Sequence, residues 1–451
     1  MEGGLRSRLT KGLGAQAFTQ IVNVLIQIGT VPLLIVAWGV ELYGEWLILT
    51  AIPVYLAMSD VGFPTAATNE MTMAVGRGDR PAALEAFQSV WLLVLVVSFA
   101  VVMAVGGAAW LLPLTGWLNL SVLTGASAGL ILLLLSGQVL VSFQSGLIYA
   151  GFHCEGNYGL GQFLVTGVRI LEFGLLAVTV ILGGDPVMAA AALLTGRVVG
   201  TIGMRIALRR VNPWVTFGWR HAAFATVRRL AGPAVAFSAF PLGNALNLQG
   251  MVIVIGVVLG PTAVVVFATL RTMTRFGLAL VRSVNVAIQA EIASAFGRDD
   301  ADLLRKLHHR SCQAAFWLSG AVALGLALFG EWLLTIWTDG AVNMHPELFL
   351  LLLAVLVVNG LWLSSLMLVY ATNRHQRVAV VYLTVNLMTV AAAYVLALQF
   401  GLVGVAAGLL VADAIMVVSV LPQSLGLLDD SVANFARVLV RPPVFVLKGL
   451  R

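Results

Sequence analysis

The chain has 451 residues, of which 60% are hydrophobic and only 10% are charged, and its mean hydropathy is +0.98. Soluble domains average roughly 45–50% apolar and about 25% charged residues, so this composition excludes a soluble globular protein. The net charge of +6 follows membrane topology, because the basic residues collect in alternate loops, and it indicates no nucleic-acid partner.

Apolar runs of about 20 residues can cross a bilayer as helices. About twelve such runs follow one another along the chain. In order, we predict spans at 13–38, 43–63, 87–112, 122–150, 160–182, 187–204, 230–259, 262–288, 312–337, 348–370, 378–396 and 402–421. The sequence therefore predicts an all-α, multi-pass membrane protein.

The basic residues predict how these spans are oriented. Of the 26 Lys and Arg residues, 21 precede the first span, follow an even-numbered span or follow the last one. The other five lie inside spans. Because basic loops stay in the cytoplasm, we expect both chain termini on the cytoplasmic side.

The chain also resembles itself at a fixed shift of 221 residues. Three pairs share that shift and the same place relative to the spans: Gly39 and Gly260, Asn23 and Asn244, and the loops GRGD at 76–79 and GRDD at 297–300. Six spans bring the chain back to its starting side, so the two copies form a parallel repeat. Transport folds of this kind bind their substrate between the two halves.

The repeat predicts four segments. Residues 1–204 form an N-terminal six-helix lobe, and 205–229 a cytoplasmic linker. Residues 230–424 form a C-terminal six-helix lobe. Residues 425–451 are predicted to contain an amphipathic helix on the cytoplasmic side, since apolar and basic residues alternate there at helical spacing.

A column of arginines lies in the eighth predicted span, at Arg271, Arg275 and Arg282. An arginine near the centre of a membrane helix costs roughly 2.5–3.5 kcal/mol on insertion scales, and such residues usually face the protein interior or a watery cavity. We interpret the column as a binding surface for an anion. The alternative, a side chain that reaches the lipid headgroups, suits Arg282 best because it is near the cytoplasmic end.

A polar stripe follows one face of the first span, and the seventh span repeats part of it. The amides are Gln16, Gln20, Asn23 and Gln27, with Asn244 and Asn247 in the seventh span. We interpret them as hydrogen-bonding walls of a cavity suited to sugar hydroxyls. The alternative is contact between helices, which polar side chains often provide in membranes.

The remaining charges inside spans are candidates for substrate binding, ion coupling or gating. Arg169 and Glu172 are three residues apart and are predicted either to neutralise each other or to serve the site. Arg197 has no acid nearby in the sequence and needs a partner elsewhere. Asp413 is the carboxylate best placed to couple to a proton or sodium gradient, with a salt bridge to an arginine as the alternative. Asp60 suits a helix-end or gate residue.

Enzyme chemistry and resident cofactors are not indicated. The chain has no phosphate-binding loop of the GxxxxGK[ST] type. The adjacent residues His153, Cys154 and Glu155 cannot easily converge on one metal ion. We therefore expect neither a catalytic residue nor a metal site.

Several short motifs resemble the polysaccharide exporters of the O-antigen flippase type, and the similarity extends over nearly the whole chain. They are LGAQ at 13–16, VELYGEW at 40–46, SDVGF at 59–63, GRGD at 76–79, and NLQ, VIG and LG at 247–249, 254–256 and 259–260. That family belongs to the multidrug/oligosaccharidyl-lipid/polysaccharide (MOP) flippase superfamily, together with the multidrug and toxin extrusion (MATE) transporters and the lipid II flippases. About twelve spans fit the O-antigen type better than the lipid II type.

The resemblance implies a V-shaped bundle of two lobes in a bacterial inner membrane. It implies a flippase that moves a polyprenyl-pyrophosphate-linked oligosaccharide to the outer leaflet, beside the polymerase and glycosyltransferases of the same pathway. Membrane lipids surround such a protein. Arg271 and Arg275 would then hold the pyrophosphate, with Arg197 or Arg169 assisting from the first lobe.

Two other functions remain open at this point. A cation-coupled multidrug exporter of the same superfamily should favour buried acids, whereas arginines outnumber acids in these spans. An accessory subunit of a polysaccharide synthase, with no transport of its own, has less need of polar stripes inside the membrane.

Overall fold

The computed structural model describes residues 2–56, 62–297, 300–371 and 376–441. The regular structure of these residues is helical. A π-helical turn, Leu246–Gly250, lies between α8 and α9. The helices are α1 (Glu2–Leu56), α2 (Phe63–Gly76), α3 (Arg80–Leu111), α4 (Leu114–Trp117), α5 (Gly125–His153), α6 (Tyr158–Ile181), α7 (Pro186–Val211), α8 (Phe224–Ala245), α9 (Met251–Leu259), α10 (Pro261–Gly297), α11 (Ala301–Thr338), α12 (Pro346–Ala371), α13 (Gln376–Gly426) and α14 (Val432–Val440).

The predicted spans are confirmed. Within the described residues, ten helical segments are long and apolar enough to cross a membrane. Two of them each contain two predicted spans, because α1 breaks at Gly39 and α13 breaks at Gly401, where the backbone is not helical. The protein is therefore a multi-pass helical membrane protein with about twelve crossings.

The internal repeat is visible in the backbone as well as in the sequence. Gly39 (φ 77°, ψ 169°) and Gly260 (φ 87°, ψ 173°) adopt almost the same left-handed conformation between successive spans. A residue with a Cβ rarely tolerates such a conformation, which explains why both copies have glycine there. In the first copy α2 ends at Gly76, and in the second copy α10 ends at Gly297, again 221 residues apart.

The helix that follows starts in the same way in both copies. Asp79 caps α3 by accepting a hydrogen bond from the backbone N–H of Ala82 at 3.0 Å. Asp300 caps α11 by accepting from Leu303 at 3.0 Å. The two aspartates and their two partners are each separated by the predicted 221 residues, so the copies share a local fold and not merely a composition.

The described chain packs into two compact units, Met1–Ala245 and Leu246–Arg451. The division falls at the π-helical turn rather than at the predicted start of the second lobe, residue 230. The beginning of α8 is held by the first unit, since Arg229 forms an ion pair with Glu70 at 3.2 Å and the Thr226 hydroxyl bonds to Glu85. These contacts attach α8 to the middle of α2 and the start of α3.

The C-terminal segment folds back onto α11. Ser431 caps α14, and Phe435 is buried against Cys312 and neighbouring apolar side chains. His309 Nε2 and Asp430 Oδ2 are 2.6 Å apart. The amphipathic helix predicted from sequence is thus present as α14, with Phe435 facing protein.

We expect the docking of α14 to weaken in acid. Burial alone raises the pKa of Asp430, but hydrogen bonds from Asn434 and His309 outweigh it and hold that pKa below its ordinary value of 3.8. A carboxylate with a depressed pKa stabilises the folded form above about pH 4, and this contribution is lost as pH falls through the depressed value. Hydrogen exchange of the 432–440 amides should therefore show increased opening, after correction for intrinsic rates, below that pH. Asp430→Asn should show the opening at neutral pH, and a protected α14 in this variant would contradict the assignment.

Candidate functional site in the membrane-spanning helices

Arg271 is a half-buried cation inside α10, in the second unit. Its Nη1 donates to the backbone carbonyl of Asn247 at 2.9 Å, and its Nη2 donates to Asn247 Oδ1 at 2.5 Å. The guanidinium carbon also lies 5.4 Å from the centre of the buried Phe267 ring, a distance suited to a cation–π contact. These contacts hold Arg271 in one orientation without neutralising it.

A chain of amides continues from this arginine. Asn247 Nδ2 donates to Asn386 Oδ1 at 2.8 Å, and Asn386 Nδ2 donates to the carbonyl of Tyr382 at 2.8 Å. Asn386 is almost fully buried. The π-helical turn and α13 are thus joined to α10 through polar side chains inside the membrane-spanning region.

The other two arginines of the column are less constrained. Arg275 is half-buried and Arg282 is exposed. Among the side chains that the structure describes, which do not include that of Glu291, no acid forms an ion pair with Arg271, Arg275 or Arg282. No described carboxylate therefore neutralises the column through an ion pair.

Asp413 is a buried carboxylate on α13, with 7% of its surface exposed. Its Oδ1 accepts two hydrogen bonds at 2.8 Å, from Asn359 Nδ2 and from Trp362 Nε1. Asp413 forms no ion pair with any described residue. The predicted alternative of a salt bridge to an arginine is therefore not what the described structure contains.

In the first unit, Glu172 is paired with Arg197. The pair is bidentate: Arg197 Nε donates to Glu172 Oε1 at 2.8 Å, and Nη2 donates to Oε2 at 2.7 Å. Gln138 Nε2 adds a third bond to Oε1 at 2.6 Å. The predicted local neutralisation of Glu172 by Arg169 is wrong, because the carboxylate faces α7 and Arg197 offers both of its parallel N–H groups. The partner that Arg197 lacked in the sequence is Glu172.

Two glycines of α7 permit this pairing by bringing α6 and α7 unusually close together. A Cβ at Gly196 would lie 3.0 Å from the Glu172 Cα, and one at Gly200 would lie 2.6 Å from a Val168 methyl group. Both distances are shorter than ordinary contacts between carbon atoms, which are about 3.5–4.0 Å. Small residues thus set the helix separation at which the ion pair forms.

Arg169 is exposed and has a different partner. Its Nη1 donates to Asn23 Oδ1 at 2.5 Å. One turn away, the Thr19 hydroxyl accepts from Gln162 at 3.0 Å and is 2.6 Å from the Thr166 hydroxyl. The polar stripe of the first span is thus joined to α6, while the guanidinium of Arg169 has N–H groups left over.

The other predicted site residues are more loosely held. Gln20 and Asn244 are exposed, and Gln27 is half-buried. None of the three forms a hydrogen bond with a described side chain. The side chain of Gln16 and the whole of Asp60 lie outside the described residues.

Four polar residues of the site escaped the sequence analysis: Gln138, Asn359, Trp362 and Asn386. None of the four belongs to a periodic polar stripe that would draw attention to it. An amide side chain in a predicted membrane helix is itself a signal, since it must find a partner there. Applied uniformly, that signal selects three of the four.

Charged groups held inside a bundle of membrane-spanning helices with an internal parallel repeat are typical of membrane transporters. Several solved structures have a similar fold. A MATE family transporter of the MOP superfamily in an inward-facing conformation superposes with a TM-score of 0.72 at 15% identity, over 92% of this chain and 99% of that one. The lipid II flippase MurJ, in an inward closed conformation, gives 0.71 at 13% identity, over 95% and 89%.

A third similar structure is a MOP superfamily transporter from Pyrococcus furiosus Vc1, for which reverse polarity of the binding pocket suggests a different function. It gives a TM-score of 0.56 at 15% identity, over 94% of this chain and 95% of that one. No protein-family model matches the chain, and no curated protein matches it significantly in sequence. The chain therefore has the fold of the MOP superfamily transporters.

Proposed function

We propose that this protein is a flippase that moves a polyprenyl-pyrophosphate-linked oligosaccharide from the cytoplasmic to the outer leaflet by alternating access. The observation that carries the proposal is the state of Arg271. It is a half-buried cation in a membrane-spanning helix, fixed by Asn247 and without an ion-pair partner in the described chain. Keeping such a charge is costly unless an anion binds there.

Pyrophosphate suits this site better than a single carboxylate or a neutral lipid. It has two or more negative charges and several acceptor oxygens, and guanidinium groups bind such anions through paired N–H donors. Arg275 lies one helical turn from Arg271 on α10 and is also half-buried. Two cations about 6 Å apart along a helix match an anion whose charge is spread over two phosphorus centres.

The sugar portion would need hydrogen-bond donors and acceptors. Asn23, Gln20 and Gln27 offer neutral amides in the first unit, and the exposed Arg169 guanidinium adds donors. Arg197 is a weaker candidate for the substrate, since Glu172 uses its two parallel N–H groups. We propose that Asn23, Arg169 and the two glutamines contact sugar hydroxyls.

The compared structures support the proposal in two respects. One of them is a lipid II flippase, so the fold accommodates a lipid-linked substrate. For another, reverse polarity of the binding pocket suggests a different function. By the same reasoning, the arginine-rich α10 favours an anionic substrate for this chain. The proposal sets the protein in a bacterial inner membrane with both termini in the cytoplasm.

A second candidate is a cation-coupled multidrug exporter, and Asp413 is the observation in its favour. This carboxylate is buried, and its hydrogen-bond partners, Asn359 and Trp362, are neutral. In the flippase proposal, Asp413 has another use, as the group that takes up a proton or sodium ion and so couples export to an ion gradient.

The test is transbilayer movement in liposomes that contain the purified protein. Three fluorescent probes are compared: a polyprenyl-pyrophosphate oligosaccharide, the same oligosaccharide on an uncharged polyprenyl ether, and a cationic dye. An impermeant reductant reports how much of each lipid probe reaches the opposite leaflet. We expect movement of the pyrophosphate probe alone. Efflux of the dye without movement of either lipid probe would favour the drug exporter. If none of the three probes moves, even under an imposed proton or sodium gradient, the result would contradict a transport function.

A further inference from the structure

We propose that Asn247 and Asn386 are positioning residues that orient the Arg271 guanidinium toward the pyrophosphate of the substrate. This inference rests on the proposed function and adds to it the groups that aim the cation. The observation is the chain of hydrogen bonds from the Tyr382 carbonyl through both asparagines to Arg271.

The chain of amides has a fixed direction. An asparagine side chain has one donating and one accepting end, and its orientation follows from its partners. The Tyr382 carbonyl can only accept, so Asn386 turns its NH₂ group toward Tyr382 and its oxygen toward Asn247. Asn247 then donates through its NH₂ group and presents its oxygen to Arg271. The orientation of the last amide is thus set by a backbone carbonyl on α13.

The backbone around Asn247 takes part as well. Asn247 lies in the π-helical turn Leu246–Gly250, and its carbonyl accepts from Arg271 Nη1. Single π-helical turns within α-helices occur frequently at functional sites. The carbonyl and the side-chain oxygen of one residue therefore bind the two ends of the guanidinium fork.

This arrangement leaves Arg271 with donors for a ligand. A guanidinium has five N–H donors, and Asn247 accepts two of them. The Phe267 ring lies against the guanidinium at 5.4 Å and limits its rotation. Without Asn386, the Asn247 amide could rotate and point its NH₂ group at the cation, which would repel it. The charge would remain, but its direction would be lost.

A double-mutant cycle separates positioning from general stability. The full-length protein in nanodiscs binds geranylgeranyl pyrophosphate as the probe, and four forms are compared: wild type, Asn386→Leu, Arg271→Gln and the double variant. We expect Asn386→Leu to weaken binding about tenfold, by analogy with the lower end of the losses seen when groups that orient a metal ligand are removed. In the Arg271→Gln background, the same substitution should have no further effect.

Asn285→Leu is the matched control. Asn285 is a buried asparagine on the same helix as Arg271, and its oxygen accepts from Ser364 at 2.9 Å. It should lower thermal stability without changing the affinity of the folded protein for the probe. If Asn386→Leu fails to fold, Asn247→Leu tests the same inference, since it removes the side-chain acceptor and keeps the backbone one.

The possible outcomes distinguish the two proposals. One outcome would overturn the positioning role alone. In it, Arg271→Gln weakens binding, but Asn386→Leu either has no effect on binding or has the same effect in the wild type and in Arg271→Gln. Unchanged binding in Arg271→Gln would overturn the proposed function, and the positioning role with it. A loss in Asn386→Leu that disappears without Arg271 supports both.

Discussion

Arg271→Gln should reduce the rate of transbilayer movement of the pyrophosphate-linked probe by at least about 100-fold. In enzymes, removing one donor to a developing anion lowers the rate by a similar factor. Glutamine keeps much of the side chain's length and can still donate to Asn247, so the substitution chiefly removes the positive charge. The measurement is the rate at which the probe becomes accessible to the reductant in liposomes, normalised to the amount of folded protein. Arg271→Lys should retain part of the activity, because it keeps the charge and loses the planar fork.

Arg305→Gln is the matched control for this substitution. Arg305 belongs to the same unit and also donates to a backbone carbonyl, that of Leu428, at 2.6 Å. It lies near the start of α11, away from the amide chain. The same loss of charge there should leave movement of the probe near the wild-type rate. Normal movement in Arg271→Gln, or an equal loss in both variants, would remove Arg271 from the site.

The second large effect is expected for stability in the first unit. Glu172→Gln should destabilise the folded protein by about 3–5 kcal/mol, because it leaves the Arg197 charge buried without its partner. The side chains of Arg197 and Glu172 are only 12% and 7% exposed, so solvent cannot replace the lost interaction. Thermal unfolding in detergent should show a marked decrease in midpoint relative to wild type.

The double variant Glu172→Gln with Arg197→Met tests the reason for that effect. Removing both charges also removes the unpaired cation, so most of the lost stability should return. A double variant as unstable as Glu172→Gln alone would show that the carboxylate matters for something other than Arg197. The bond from Gln138 would then be the first alternative to examine.

The spans and the repeat could be predicted from sequence because both depend on local patterns. Apolar length determines where a helix can cross a bilayer, and the breaks at Gly39 and Gly401 fall between predicted spans. The ends of the helices were harder to predict from sequence. The structure extends α10 to Gly297 and begins α11 at Ala301, whereas the predicted spans stop at 288 and start at 312. These additional turns are polar, so hydropathy does not mark them.

The arginines of α10 could be found from sequence, but their partners could not. Arg271 is conspicuous because a cation in an apolar run is rare. Its contact with Asn247 joins residues 24 positions apart, and the contact between Asn247 and Asn386 joins residues 139 apart. The partner of Glu172 could not be predicted either, because Arg169 is nearer in the sequence than Arg197, which Glu172 binds. Periodicity identifies the face of one helix and carries no information about which other helix packs there.

The close approach of α6 and α7 restricts how the first unit can rearrange. Gly196 and Gly200 leave no room for a Cβ beside Glu172 and Val168, so α6 and α7 pack at a short separation, and we expect them to move as one unit. Spin labels on the outer faces of these two helices should therefore keep one narrow distance distribution throughout the transport cycle. Such a pair would serve as an internal ruler against which the displacement of every other helix can be measured.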